Sequence, residues 1–414
     1  MKSSVKFFAS APFAAALSAT LLSVSLAPNA FAEESFLDDL MAGSSTKVNF
    51  RYRTESVDDE TKSETAIANT LKSRVTFTSG TASNFSFGLE FDDSRALFNE
   101  DFNSTTNGNT AYPVVADPEG TDLNQAYMNY SSGSFGAKLG RQRILLDDQR
   151  FVGGVGWRQN EQTYDGLNLS YKRGAFNGSY AYIENVNRIF GPTAPTADWR
   201  GDVHLLNGTY AINDAHKLTG FYYSMDFEAA SARSNATLGV RYQGKVGPVG
   251  IAASYATQSD VGDNPTDYSA DYMALELSGK VASKVDLKVG VEVLGSDNGA
   301  KGFDTPLATA HKFQGWADKY LGTPGNGVED MYIGVAGKLG KVILKADYHM
   351  LSSDFGGRDY GTELDLVAVY PITSKLKGLL KYAQYNADSM PAGMTQDGLG
   401  SDIEKIWLMF ELAL

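Results

Sequence analysis

Few residues of this chain are of types that make or break bonds, and they are not grouped to do so. The four histidines, His204, His216, His311 and His349, stand in separate segments with no HxxxH spacing for a metal, and no serine sits in a nucleophile context. Cysteine is absent, which removes a thiol nucleophile, a disulfide framework and a Cys-ligated metal. His349 and Asp347 share one strand face two residues apart, a spacing that suits a lining pair better than a catalytic one. The acidic tracts Asp58-Asp59-Glu60 and Asp92-Asp93 offer loosely bound Ca²⁺ at the surface without a fixed ligand pattern. Neither an enzyme nor a resident cofactor is expected.

Charges that recur beside apolar residues suggest a different chemistry. Arg51 and Arg53, Lys72 and Arg74, Lys377 and Lys381, and Lys405 each fall on the opposite parity to their apolar neighbours. The same parity holds Lys138, Arg241, Lys280, Lys288, Lys338 and Lys345, and the acids Glu90, Glu276, Asp286, Glu292, Asp347, Asp365 and Glu411. A row of cations on one strand face lowers the barrier for an anion and steers it, while opposing acids shorten its residence or pair with the row.

The elements that position those charges are strands. Val48, Phe50 and Tyr52 alternate with Asn49, Arg51 and Arg53; Phe85, Phe87, Leu89 and Phe91 with Ser86, Gly88, Glu90 and Asp92; Ile406, Leu408, Phe410, Leu412 and Leu414 close the chain in the same way. Such segments fall near 46–54, 69–79, 84–92, 121–131, 134–144, 162–172, 175–185, 201–212 and 215–227. Others follow near 232–244, 247–258, 268–281, 284–296, 327–340, 341–353, 361–371, 374–386 and 402–414, about eighteen in all. Tight turns such as Lys172-Arg173-Gly174 and Leu339-Gly340-Lys341 alternate with long polar links at 55–68, 93–120, 145–161, 186–200, 297–326 and 387–401. An even tally, one apolar face per strand and alternating short and long connections predict an all-β fold. It is a single closed antiparallel transmembrane β-barrel over residues 46–414, with short periplasmic turns and long extracellular loops. A secreted sandwich would keep protected edges, and a propeller would repeat at a blade period that is not seen. Closure sets the first strand beside the last, so that Arg51, Arg53, Lys72, Arg74, Lys377, Lys381 and Lys405 form one basic sector.

The ends and the composition agree with export to a Gram-negative outer membrane. Residues 1–32 join Lys2 and Lys6 to an apolar run and an Ala30-Phe31-Ala32 exit, the pattern of a secretory signal peptide, and 33–45 form a short periplasmic segment. Without residues 1–32 the chain balances 34 basic against 49 acidic side chains, a net charge of −15 that argues against nucleic acid. Beyond the signal no run reaches the roughly 18 apolar residues of a spanning helix. The 22 Tyr, 22 Phe and 42 Gly spread among alternating strands are the composition of a barrel with aromatic girdles, for which Tyr130, Tyr171, Tyr242, Tyr255, Tyr348 and Tyr370 are placed near strand ends. Outer-membrane lipid and lipopolysaccharide are the expected surroundings. The last strand resembles the signal read by the barrel-assembly machinery, although it ends in Leu414 rather than Phe or Trp.

Residues 140–167, GRQRILLDDQRFVGGVGWRQNEQTYDGL, resemble the signature of the alginate export porin family. The resemblance rests on Gly140, Arg141, Gln142, Leu146, Asp147, Arg150, Phe151, Val152, Gly153, Trp157, Arg158, Gln159, Asn160, Gln162, Thr163 and Asp165; Tyr164 stands where the family usually has Phe. It implies an eighteen-stranded monomeric channel for an anionic polysaccharide such as alginate, other uronates or organic acids. The charges of the loop at 145–161, Asp147, Asp148, Arg150, Arg158 and Glu161, suit a salt-bridged lid folded into the lumen, since Phe151, Val152 and Trp157 would be costly as exposed tips. A general porin, a barrel enzyme and an adhesion barrel are the alternatives.

Overall fold

The computed structural model describes residues 33–388 and 398–414. The expected signal peptide, 1–32, lies outside the described residues. A helix, α1 (Glu33–Ala42), precedes the barrel within the segment expected at 33–45. Leu40 anchors it by burial and by accepting a bond from the Gly80 amide at 2.6 Å.

Eighteen strands follow: β1 (Ser45–Asp59), β2 (Ala66–Thr78), β3 (Phe85–Asp101), β4 (Gly120–Ser132), β5 (Phe135–Gln142), β6 (Thr163–Arg173), β7 (Phe176–Asn187), β8 (Asp198–Asn213) and β9 (His216–Phe227). The second half comprises β10 (Asn235–Val246), β11 (Val249–Asp260), β12 (Ser269–Ala282), β13 (Val285–Leu294), β14 (Val328–Leu339), β15 (Val342–Ser352), β16 (Asp359–Pro371), β17 (Leu376–Ala387) and β18 (Ile403–Ala413). Each pairs antiparallel with its sequence neighbours. The sheet closes where β1 meets β18, in a register running from Asn49 opposite Ala413 to Asp59 opposite Ile403. Closure leaves no unpaired edge, which lipid cannot satisfy.

Burial is inverted relative to a soluble domain. Leu238, Met128 and Leu380 are more than half exposed, whereas Arg53 and Lys72 are 0% and 1% exposed. On β1, β2, β17 and β18 the parity read from the sequence survives, with apolar residues outward to lipid and charges inward, whereas on β8 and β9 the inward positions are Val203, Leu205, Phe221, Tyr223, Met225 and Phe227. Several strands outrun their apolar pattern: β1 reaches Asp59 and β3 reaches Asp101, because the backbone ladder continues above the lipid where both faces are polar. One end carries turns such as 133–134, 174–175 and 340–341. The other carries long loops, including 102–119, 143–162 and 295–327.

Candidate functional site

The site grows from the hairpin β5–β6. Arg141 and Asp165 face each other across it and pair through two bonds of 2.8 and 3.0 Å. Gly140 and Gly166 are opposite each other too. A Cβ on Gly140, whose φ is +114°, would come within 2.4 Å of the Ala126 carbonyl oxygen, and one on Gly166 within 2.1 Å of that of Tyr182. Glycine at both positions lets neighbouring strands approach closely; the β6–β7 register shifts between Asp165 and Gly166, and the β5–β6 ladder runs on to Gln142 opposite Tyr164, where the loop begins.

The intervening loop, 143–162, is a plug. Val152, Gln159 and Arg150 are buried, and the apolar tips that could not face water pack inside: Phe151 lies against Phe221, Tyr223, Tyr272 and Phe303 with centroids 4.9 to 6.2 Å apart. Apart from Glu161, which also meets Arg143 at the start of the loop, its charges do not pair within the loop: Asp147, Asp148, Arg150, Arg158 and Glu161 do not bridge one another as the sequence suggested. Each reaches a different part of the wall: Asp148 to Arg241 on β10 (2.6 Å), Arg150 to Glu292 on β13 (2.6 Å), Arg158 to Glu55 on β1 (3.1 Å), Glu161 to Arg74 on β2 (2.8 Å), while Asp147 accepts a bond from Asn207 on β8 (2.8 Å). Pairing within the loop would have left those wall charges desolvated and alone, the more costly arrangement.

Two further loops complete the plug, and sequence reasoning missed both. From 102–119, Asp117 meets Arg53 and accepts the Gln159 amide at 2.8 Å. From 295–327, Trp316 and Ala317 donate their amides to Asp365 (3.1 Å) and Glu363 (2.6 Å) on β16, and Asp318 accepts from Lys405 at 2.8 Å. Gly315, at φ +83°, is the close approach: a Cβ there would strike the Glu363 carboxylate at 2.2 Å. These contacts use backbone amides and lone acids, which carry no sequence pattern.

The predicted basic sector is brought together on β2, β1, β18 and β17, which are adjacent. It is the surface on which the plug sits. Arg51 donates to the Gly156 carbonyl (3.0 Å) and lies 3.6 Å from Glu411; Arg53 donates to the Trp157 carbonyl (2.6 Å). Lys72 and Arg74 meet Glu161, and Lys377 meets Glu411 at 3.3 Å. Lys381 lies among the rings of Trp157, Trp316 and Trp407 at 4.2, 3.8 and 5.1 Å, and its Nζ donates to His311 Nε2. His311 Nδ1 bonds Asp318 at 2.6 Å. Burial, aided by Lys381, pulls the His311 pKa down to about 3, so the ring is neutral. Although burial pushes Glu161 up, Arg74 and Arg143 hold it well below the usual carboxylate range.

One expectation is corrected by position. Asp92 is buried in the lumen and bonded by Arg74 rather than lying at a Ca²⁺-accessible surface, because its parity is that of Glu90. His349 bonds Asp330 on β14 at 2.9 Å, while Asp347 pairs with Lys288 at 3.0 Å, so the two do not form a dyad. Among the described residues no cluster of His, Asp and Glu has the makings of a metal site.

Two cavities border the plug. The outer one, about 610 Å³, is bordered by Lys62, Arg158, Arg188, Arg233, Lys319 and Lys405 against two carboxylates, Asp59 and Asp318. The inner one, about 260 Å³, is bordered by Arg241, Lys288 and Lys312 and by Asp148, Glu276, Glu292 and Asp330. The stretch 310–318 lies between them: His311 borders the outer cavity, and Lys312, Phe313 and Gln314 the inner.

Residues 44–300 match the family described as alginate export. No curated protein matches the chain. Among solved structures it is similar to Pseudomonas aeruginosa OpdO (TM-score 0.68, 10% identity, covering 92% of this chain and 99% of that one). It is also similar to Pseudomonas aeruginosa OpdK, solved with vanillate (0.68, 12%, 91% and 99%), and to Acinetobacter baumannii OccAB2 (0.67, 15%, 91% and 99%). At these identities the likeness is one of fold.

Proposed function

From the premise that this chain belongs to the alginate export family, and is therefore an outer-membrane channel rather than an enzyme, we propose that it passes anionic solutes by diffusion through a basic outer vestibule and a plugged lumen. The observation that carries the reading is the lining of the outer cavity, where Arg158, Arg233 and Lys405 are paired with acids but Lys62, Arg188 and Lys319 have no carboxylate partner among the described residues, in a chain whose net charge is −13. Excess acid elsewhere does not cancel a local field inside low-dielectric walls. A solute entering from outside meets this cationic surface first. Arg51, Arg53, Lys72, Arg74, Lys377, Lys381 and Lys405 then serve mainly as partners of the plug, and become available to an anion as it shifts. The constriction residues Asp147, Asp148, Arg150, Trp157, Arg158 and Glu161 set how far it shifts.

Uronate oligomers and smaller organic acids both satisfy the charge requirement. The barrel works as a monomer, is delivered to the outer membrane by its N-terminal signal and is inserted by the assembly machinery through β18; the closed β1–β18 seam supports the single-chain state. Liposome swelling tests the proposal. Vesicles bearing the protein should admit glucuronate faster than glucose of similar size, and the reverse order would overturn anion preference.

A further inference from the structure

Among the described residues, Arg188 borders the outer cavity with neither a carboxylate nor a hydrogen-bond acceptor for its guanidinium. Arg188 is the first residue after β7, and its guanidinium lies 3.6 Å over the ring of Trp199 and 5.1 Å from that of Phe190. Its Nε is buried without a hydrogen-bond partner, and no carboxylate pairs with it among the described residues. The other cations of the cavity are occupied. Arg233, against the same indole at 5.7 Å, makes two bonds of 2.6 Å to Asp304; Arg158 and Lys405 share Asp318; Lys319 donates to the Gly398 carbonyl and to Ser401; Lys62 donates to the Thr110 carbonyl. Burial, reinforced by the like charge of Arg233, draws the Arg188 pKa down to about 10, which leaves it cationic at neutral pH. A desolvated guanidinium with an unmet N–H is costly, and a carboxylate matches its fork.

The rest of the cavity specifies the other half of a ligand. The cavity's apolar border comprises Val57, Val114, Ile189, Phe190, Pro306 and Leu321, with Thr61, Gln162, Thr305 and His311 as neutral polar neighbours. A polyhydroxylated uronate would bury hydroxyls against the apolar side chains, while most of the charged groups of the cavity are already engaged with protein partners. An apolar ring or chain would instead exchange water for matching surface, in a volume of the ordinary size for a small-molecule site.

Building on the proposed anion channel, we propose that the outer cavity is a binding site for small monocarboxylates with an apolar body, the carboxylate held by Arg188. The test uses the full-length protein in detergent micelles, with calorimetric titration of benzoate, glucuronate and benzyl alcohol. Benzoate should bind, with glucuronate and benzyl alcohol each roughly tenfold weaker or worse. Arg188→Gln should weaken benzoate by a similar factor. Arg188→Lys, which keeps the charge and loses the fork, should weaken it by roughly half that on a logarithmic scale, and decides the matter if the Gln variant does not fold. Glucuronate binding as tightly as benzoate, or a folded Arg188 variant with wild-type benzoate affinity, overturns the site. If anion preference persists across a bilayer while benzoate binding ignores Arg188, only this inference falls. Loss of anion preference would remove its premise as well.

Discussion

His311 lies flat against Trp157, with ring centroids 4.9 Å apart and planes 12° apart, and its two nitrogens bridge Asp318 and Lys381. This one contact ties the loop 143–162 to the loop 295–327, and both to β17.

Trp157→Ala should therefore loosen the plug rather than the barrel. The substitution removes the stack on His311 and the cation–π cover of Arg53 and Lys381, a loss of about 3 kcal/mol from the docked loop. Single-channel recording should show a larger or more frequently open conductance, with the heat-modifiable migration of the barrel retained. Unchanged conductance would mean that the plug does not limit flow.

Acid should loosen the same contact. His311 is held neutral, with its pKa lowered from 6.5 to about 3, whereas a displaced loop would take up a proton near 6.5. The displaced state thus binds more protons over that window, so docking weakens as pH falls from 6.5 towards 3, by about 2 kcal/mol at pH near 5. Asp318, which burial would raise but His311 and Lys405 hold well below 3.8, adds the same sign below its unperturbed value. Open probability should rise on acidification, and His311→Gln should flatten the rise above pH of about 4.

Arg150→Ala tests the opposite anchor. It leaves Glu292 and Gln314 buried without their guanidinium partner and exposes the cluster around Phe151, at a cost of about 3 to 5 kcal/mol. Protease accessibility of residues 143–162 should increase sharply. Arg150→Lys should restore only part of the protection, since one ammonium cannot reach both partners.

The lipid face offers a separate check on parity. Leu408 points outward between Trp407 and Met409, which are buried in the lumen. Leu408→Arg should cost about 2 to 4 kcal/mol near the bilayer midplane and depress assembly into membranes. Met409→Arg, facing the interior, should insert far better; equal insertion would contradict the assigned faces.

The barrel was legible because its signal is periodic. Alternation over β1, β2, β17 and β18 placed Arg53, Lys72, Lys381 and Lys405 inward, and that is where they lie. The inward loop was legible from apolar tips, Phe151 and Trp157, that water would not tolerate. What stayed hidden was pairing across long sequence separations. Nothing local to Arg150 announces Glu292, and nothing local to Trp316 announces that its amide meets Asp365. Arg188 was hidden for a related reason: a lone arginine after a strand reads as a solvated loop charge until its neighbours show that its buried Nε has no acceptor among the described residues.

An anion-preferring path through this barrel has a direct electrical signature. Planar-bilayer recording of the purified full-length chain across a KCl gradient reads that preference directly as the sign of the reversal potential. The expected potential is displaced towards the chloride equilibrium value, and less so when Arg188 and Arg233 are both replaced by Gln. A cation-selective potential, or a bilayer that stays sealed with correctly folded protein present, would contradict it.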